Sequence, residues 1–143
     1  MDFKSKTFEQ LSTCELYEIL KARVNVFVVE QNCPYPELDD IDYKSLHVWA
    51  EKDDAIVAYL RAYIKDEGTV RMGRVLTTVR GKGYGAKLLE KGIEEIKKYF
   101  SPQKIYIEAQ SYAIGFYKRE GFVVCSDEFL EDGIPHVQME LEL

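Results

Sequence analysis

The sequence predicts an α/β fold with a mixed central sheet of about seven strands. Three observations support this class. Short apolar and β-branched runs alternate with segments of helical periodicity, and most strand candidates follow one another closely, as antiparallel neighbours do. A glycine-rich turn joins one strand to a long amphipathic helix. The length of 143 residues fits a single domain over residues 1–143.

The first part of the chain supplies one strand, one helix and a loop. Residues 3–8 alternate weakly between apolar and polar types, which indicates the first strand. Ser12 and Glu15 form a capping box ahead of an apolar run at helical spacing, so a helix is predicted over residues 13–30. Two prolines stop this helix and open a loop over residues 32–45.

Three closely spaced strands are predicted next, over residues 46–51, 55–64 and 69–76. They are rich in β-branched and aromatic residues. Asp53-Asp54 is a suitable hairpin turn between the first two strands. Because the connections are short, these strands are expected to be antiparallel neighbours.

Helices and strands alternate in the second half of the chain. A helix runs from the glycine turn to Phe100, with apolar residues on one face and charged residues on the other. The strand predicted over residues 104–109 is expected to be parallel to the strand before this helix, because a helix separates the two. A short helix over 111–119 and strands over 122–125 and 137–143 complete the chain.

The segment 80–86 (RGKGYGA) is the candidate ligand-binding turn. Its alternate glycines allow close approach to backbone N–H groups, and the following helix directs its positive end to the same place, which is a combination that binds phosphate. A Walker loop is disfavoured because Lys82 is followed by Gly83 instead of Ser or Thr. A relaxed dinucleotide fingerprint fits the segment, with Glu108 as the ribose-binding acid, although a Rossmann domain places this turn after its first strand. An ordinary glycine-rich turn also fits.

Charge is distributed unevenly along the chain. The net charge of −6 argues against a general nucleic-acid-binding protein. Residues 71–91 carry a net charge of +5, and residues 30–42 carry a net charge of −5. A basic turn suits an anionic cofactor, and an acidic segment suits a cationic substrate.

The cysteine pattern and the N-terminus indicate a cytoplasmic protein. The three cysteines form no CxxC pair, and no His, Cys or Asp set has the spacing of a zinc site, so no metal is expected. Asp2, Lys4 and Lys6 stand where a signal peptide would have an apolar run. No segment approaches the ~20 apolar residues that span a bilayer, so no membrane partner is expected.

Two motifs resemble those of the GNAT acetyltransferase superfamily. Residues 80–85 match the pattern RxxGxG of its coenzyme A loop, and residues 113–122 (AIGFYKREGF) resemble its second motif, with Gln110 where many members have Asn. The resemblance implies a GNAT fold with helices on both faces of the sheet and acetyl-CoA as the cofactor. The cofactor-binding residues that it implies are Val75, Arg80, Gly81, Lys82, Gly83, Tyr84, Gly85, Ala86 and Gln110.

A closer resemblance points to the ElaA-type subfamily. It is carried by residues 27–35 (FVVEQNCPY) and 129–137 (FLEDGIPHV), together with Asp42 and His47. It implies direct transfer of an acetyl group from acetyl-CoA to a primary amine of a small molecule or a peptide. A catalytically silent module that binds acyl-CoA is the alternative. The chain could also form a homodimer.

The resemblance also implies roles for individual residues. The strand over residues 69–76 would contain a bulge, for which Gly73 is a suitable position. The backbone N–H of Val75 would stabilise the oxyanion, and Tyr117 would be the general acid for the leaving thiolate. The choice of general base stays open among His136, Glu30, Glu108, Asp132 and a chain of water molecules.

The acidic side chains are expected to select the acceptor. On their charge and their place in the chain, the predicted substrate-binding residues are Glu30, Asp42, Glu131 and Asp132. Carboxylates at the acceptor cleft would favour cationic amines.

Overall fold

The computed structural model describes residues 1–143, which form one eight-stranded sheet and three α-helices. The strands are β1 (Asp2–Thr7), β2 (Leu46–Lys52), β3 (Ala55–Asp66), β4 (Thr69–Thr77), β5 (Lys104–Gln110), β6 (Val123–Val124), β7 (Phe129–Glu131) and β8 (Ile134–Glu142). The helices are α1 (Thr13–Arg23), α2 (Tyr84–Phe100) and α3 (Ile114–Lys118). None of them is long and apolar enough to cross a membrane.

The sheet is mixed, as the sequence predicts. Its strand order is β1-β2-β3-β4-β5-β8-β6, and β7 pairs with β8 outside this path. All neighbours are antiparallel except β4 and β5, which are parallel and joined through α2. The predicted fold class and the single parallel step are therefore confirmed.

Helices cover both faces of the sheet. Successive residues of a strand point to opposite faces, and neighbouring residues of β2 pack against different helices. Val48 belongs to the hydrophobic cluster that includes Leu88 and Ile96 of α2. The next residue, Trp49, belongs to the cluster that includes Ile19 of α1. The α2 face and the α1 face are named after these helices below.

The predicted α-helix over residues 13–30 is wrong in its second half. The α-helical part ends at Arg23, and Val24–Glu30 continues as a π-helix. Four of these seven residues are valines, whose β-branched side chains have restricted rotamers in an α-helix. The wider π turn carries the chain onward to the loop that begins at Gln31.

The C-terminal hairpin was missed in the sequence. Asp132 and Gly133 form a two-residue turn with φ values of 52° and 75°, and β7 and β8 pair on either side of it. Asp-Gly with positive φ at both positions is a favoured hairpin turn, so the signal was present. The strand predicted over 137–143 therefore begins at Ile134, and the strand predicted over 122–125 has only two residues.

Candidate active site

The central feature of the site is an opening between β4 and β5. These parallel strands pair only through Thr69–Arg71, and beyond that point they separate. On the other side of β4, Tyr59 faces Leu76 while Arg61 faces Gly73, so β4 has one extra residue. The bulge lies directly after the predicted position, at Arg74, which has a φ of 52°. Val75 has no register partner on β3 or on β5.

The glycine turn presents open backbone at the start of α2. Gly81 and Gly83 have φ values of 76° and 74°, which strongly favour glycine. A Cβ at either position would meet nothing within 4 Å, so the space in front of the turn is free for a ligand. No side chain caps the helix, and its first N–H groups are therefore available to an anion.

Side chains around the turn add positive charge to this surface. The Arg80 guanidinium lies 2.9 Å from the hydroxyl of Thr77 and forms an ion pair with Glu30 of the π-helix. Lys52 Nζ contacts the hydroxyl of Tyr84 at 3.1 Å. Lys82 and Ala86 complete the turn and the first helical turn. Glu30, predicted to bind substrate, therefore neighbours the cofactor turn.

Tyr117 lies on the α2 face of the sheet, next to the residue that contacts the start of α2. Helix α3 lies against the turn, since a Cβ on Gly85 would come within 3.4 Å of the Phe116 ring and 3.3 Å of Thr77. Tyr117 belongs to the α2-face cluster, is only 8% exposed and packs edge-on against Phe116 and Phe122. Its hydroxyl has no hydrogen-bond partner within the protein. Burial raises the pKa of Tyr117 above its ordinary value of 10, so the hydroxyl stays protonated.

A second group of polar residues lies on the α1 face. Gln110 at the end of β5 is directly opposite His136 of β8, so both side chains point to the same face. The amide of Gln110 lies 3.4 Å from that of Gln31, just after the π-helix. His136 stacks on Phe129 of β7. Tyr117 therefore lies on one face of the sheet and this polar group on the other.

The hydrogen bonds of His136 fix its tautomer. Its Nδ1 lies 2.7 Å from the carbonyl oxygen of Ile134, which can only accept, so Nδ1 carries the proton in the neutral ring. In that tautomer Nε2 carries the free lone pair of the neutral ring and can accept a proton. It lies 3.7 Å from the carboxylate of Glu131, with which a protonated ring forms an ion pair. The next residue, Asp132, contacts Cys33 through its carbonyl oxygen.

Asp42 is not a free substrate carboxylate, which corrects the expectation from the sequence. It is buried, and its Oδ1 accepts hydrogen bonds from Arg23 at 2.7 Å and from Arg61 at 3.0 Å. Burial alone would raise its pKa, but hydrogen bonds and attraction from Arg23 and then Arg61 outweigh this effect and lower the pKa of Asp42. Asp42 is therefore part of the folded core.

Two further acidic residues of the loop join the same cluster. Glu37 binds Arg23 Nε at 2.6 Å and Arg74 Nε at 2.9 Å, and Asp39 binds Arg61 Nη2 at 2.6 Å. Three arginines and three carboxylates thus balance in charge. We call this set the arginine-carboxylate cluster, and its members are Arg23, Arg61, Arg74, Glu37, Asp39 and Asp42.

The cluster removes the charge argument for cationic acceptors. Four of the five acidic residues in 30–42 pair with arginines, and only Asp40 lacks such a partner. Arg23, which is 0% exposed, was overlooked in the sequence. Its burial could have been recognised from its position, four residues after Ile19 on the apolar face of α1. An arginine at such a position needs a buried partner.

The fold disfavours a dinucleotide site. The glycine turn follows the fourth strand, and three of the four strands up to the turn pair only antiparallel, unlike the Rossmann arrangement. Glu108 pairs with Arg71 at 3.2 Å and accepts a hydrogen bond from Tyr106. No group of three or more His, Cys, Asp or Glu residues comes together to hold a metal ion.

Comparison with known proteins is consistent with this geometry. A family model described as "Acetyltransferase (GNAT) domain" matches residues 14–143. The chain belongs to the GNAT acetyltransferase family. ElaA of Escherichia coli is 36% identical, with 94% of this chain and 92% of that protein covered. Its crystal structure superposes with a TM-score of 0.93 over 99% of this chain and 100% of that one. The ElaA-type resemblance is therefore confirmed.

Two further relatives extend the similarity over the whole chain. UPF0039 protein C11D3.02c of Schizosaccharomyces pombe is 46% identical, with 100% of this chain and 98% of that protein covered. An acyl-CoA N-acyltransferase from Pseudomonas aeruginosa is 35% identical, has a TM-score of 0.92 and covers 99% of both chains. Family and fold together support an acyltransferase.

Proposed function

We propose that this protein transfers an acetyl group from acetyl-CoA directly to a primary amine of a small molecule or peptide. The observation that carries the proposal is the opening between β4 and β5. It lies beside the uncapped start of α2, and Tyr117 lies on the α2 face of the sheet, packed against Phe116, whose ring is close to Gly85 of α2. Pairing of β4 and β5 along their whole length would have closed this passage.

The chain fits coenzyme A at the glycine turn. Backbone N–H groups of residues 81–86 would bind the pyrophosphate at the start of α2, with Arg80 and Lys82 adding positive charge. Arg80 would exchange its contact with Glu30 for the phosphate. Val75 and Gln110 flank the opening and would contact the pantetheine arm.

Three groups of the chain divide the chemistry. Acetyl-CoA supplies a thioester with an electrophilic carbonyl carbon and a thiolate leaving group. The N–H of Val75 donates to the carbonyl oxygen as negative charge develops. His136 Nε2 accepts a proton from the acceptor ammonium, which frees the nitrogen lone pair for attack. The second proton of the attacking nitrogen passes to solvent as the amide forms. Tyr117 donates a hydrogen bond from its hydroxyl to the departing thiolate sulfur from the other face.

The alternative function is that of a binding module, which would bind acyl-CoA without catalysing transfer. A screen separates the two: release of free CoA thiol is followed over polyamines, amino acid derivatives, aminoglycosides and peptides, with hydrolysis subtracted. Turnover with any amine supports the transferase. Tight acetyl-CoA binding without turnover over every class would favour the silent module. Because the arginine-carboxylate cluster is neutral, we expect no general preference for polycations.

Replacing Gly83 with Val tests the cofactor site. Valine at a φ of 74° is strained by about 1–3 kcal/mol, and its branched side chain would occupy the open space in front of the turn. We expect acetyl-CoA affinity, measured by calorimetry, to fall by about 10-fold to 100-fold.

Gly133 provides a matched control for this substitution. It has a φ of 75° and equally open surroundings, but lies in the β7–β8 turn. Gly133→Val should bear the same backbone strain and keep acetyl-CoA affinity within about threefold of wild type. Equal affinity of folded Gly83→Val and wild type would show that the cofactor binds elsewhere.

A further inference from the structure

Arg74 has a backbone conformation that is unfavourable for arginine. It is the extra residue of the β4 bulge and lies in the left-handed region, with a φ of 52°. A non-glycine residue in this region is strained and persists where its surroundings hold it. The residue immediately after it is Val75, the proposed oxyanion donor.

The surroundings hold Arg74 through its guanidinium. Its Nε lies 2.9 Å from Glu37 Oε2, its Nη2 lies 3.4 Å from Asp39 Oδ2, and its guanidinium lies over the ring of Tyr35. The anchor is itself rigid, because Glu37 is buried and is also bound by Arg23 and by the hydroxyl of Tyr35. The side chain at the bulge is therefore held by a loop more than thirty residues away in sequence.

We infer that Arg74 is a positioning residue for acyl transfer: its tether to Glu37 and Asp39 fixes the bulge and so directs the N–H of Val75 into the opening between β4 and β5. The inference rests on the proposed function. An oxyanion donor contributes only when it is aimed at the developing charge, so a small rotation of the peptide weakens it. The acidic loop therefore acts through the backbone of β4 and does not touch the acceptor.

Arg71 is the comparison residue within the same strand. It also pairs with a carboxylate, that of Glu108, and it is similarly exposed. Unlike Arg74, it lies where β4 pairs regularly with both neighbouring strands. Loss of the Arg71 side chain removes a partly exposed ion pair of the same strand without releasing the bulge.

The test compares Arg74→Ala, Arg74→Gly and Arg74→Lys with Arg71→Ala. Glycine accepts the positive φ, so Arg74→Gly removes the tether without adding backbone strain. We expect Arg74→Ala and Arg74→Gly to lower kcat about 10-fold to 100-fold, with acetyl-CoA affinity within about threefold of wild type. Arg74→Lys should recover part of kcat, and Arg71→Ala should stay within about threefold of wild-type kcat.

A second measurement judges the tether without turnover. In protein labelled with [15N]valine, the amide resonance of Val75 should shift or broaden in Arg74→Gly and stay in place in Arg71→Ala. An unchanged Val75 amide, or a kcat for Arg74→Gly within about threefold of wild type, overturns the inference. If wild type binds acetyl-CoA but acetylates no amine, the proposed function fails, and the Val75 amide alone then decides whether Arg74 fixes the bulge.

Discussion

Replacing Tyr117 with Phe is expected to lower kcat about 10²-fold to 10⁴-fold, the range for loss of a general acid. The ring keeps its contacts with Phe116 and Phe122, so the protein should fold normally. The hydroxyl makes no hydrogen bond within the protein, so its removal leaves no other group unpaired. Acetyl-CoA affinity should change by less than about threefold, because the hydroxyl acts chiefly in the transition state.

The raised pKa of Tyr117 determines how this acid works. A thiolate has an ordinary pKa of about 8.5, so full proton transfer from a tyrosine whose pKa is above 10 is uphill. The hydroxyl therefore stabilises the departing sulfur mainly by donating a hydrogen bond. Ionisation of Tyr117 would reduce kcat only above pH 10, so a wild-type profile between pH 7 and pH 10 should show no falling limb from this group.

Tyr17 provides the control for Tyr117. It lies on α1, is 67% exposed and has no part in the core, so Tyr17→Phe should retain kcat within about threefold. Steady-state kinetics and acetyl-CoA binding should be measured for both variants. If Tyr117→Phe also keeps kcat within about threefold of wild type, Tyr117 only packs against the site and the thiolate departs unaided.

Local patterns were sufficient to predict most of the fold. The capping box at Ser12, the turn at Asp53-Asp54 and the amphipathic period of α2 each depend on residues close in sequence. The parallel pairing of β4 with β5 followed from the helix between them. The family motifs then supplied the glycine turn and Tyr117, which local patterns alone would not have assigned to a shared site.

The acidic loop shows why the acceptor side was harder to predict. Its charge suggested a substrate surface, yet Glu37, Asp39 and Asp42 meet arginines from α1, β3 and β4. Those contacts join residues 14 to 37 positions apart, and a charge count along the chain does not contain them. The same long-range contacts hold the side chain of Arg74 at the bulge.

Asp42→Asn is expected to destabilise the protein by about 3–5 kcal/mol, the usual result of removing one partner of a buried ion pair. The substitution keeps the shape of the side chain but leaves three arginines facing two carboxylates. Arg23 is fully buried and cannot recover its hydration without disturbing α1. Urea unfolding at pH 7 should show the change as a lower midpoint with an unchanged slope.

The difference in unfolding free energy between wild type and Asp42→Asn should depend on pH, which identifies its electrostatic origin. The folded pKa of Asp42 lies below its ordinary value of 3.8, so the carboxylate stabilises the fold above about pH 4. That contribution is lost as pH falls through the lowered folded pKa, because wild-type Asp42 then becomes neutral as well. The stability gap between wild type and Asp42→Asn should therefore be largest near neutral pH and narrow at strongly acidic pH.

Asp40→Asn is the control that distinguishes a structural role of Asp42 from a role in binding the substrate. It lies two residues before Asp42, is exposed, and has a φ of 65°, which asparagine also tolerates. Asp40→Asn should change the free energy of unfolding by less than about 0.5 kcal/mol. A substrate role for Asp42 would instead raise the acceptor KM of Asp42→Asn while its urea midpoint stayed at the wild-type value. Because Arg23 and Arg61 already occupy its carboxylate, we expect the unfolding midpoint to move.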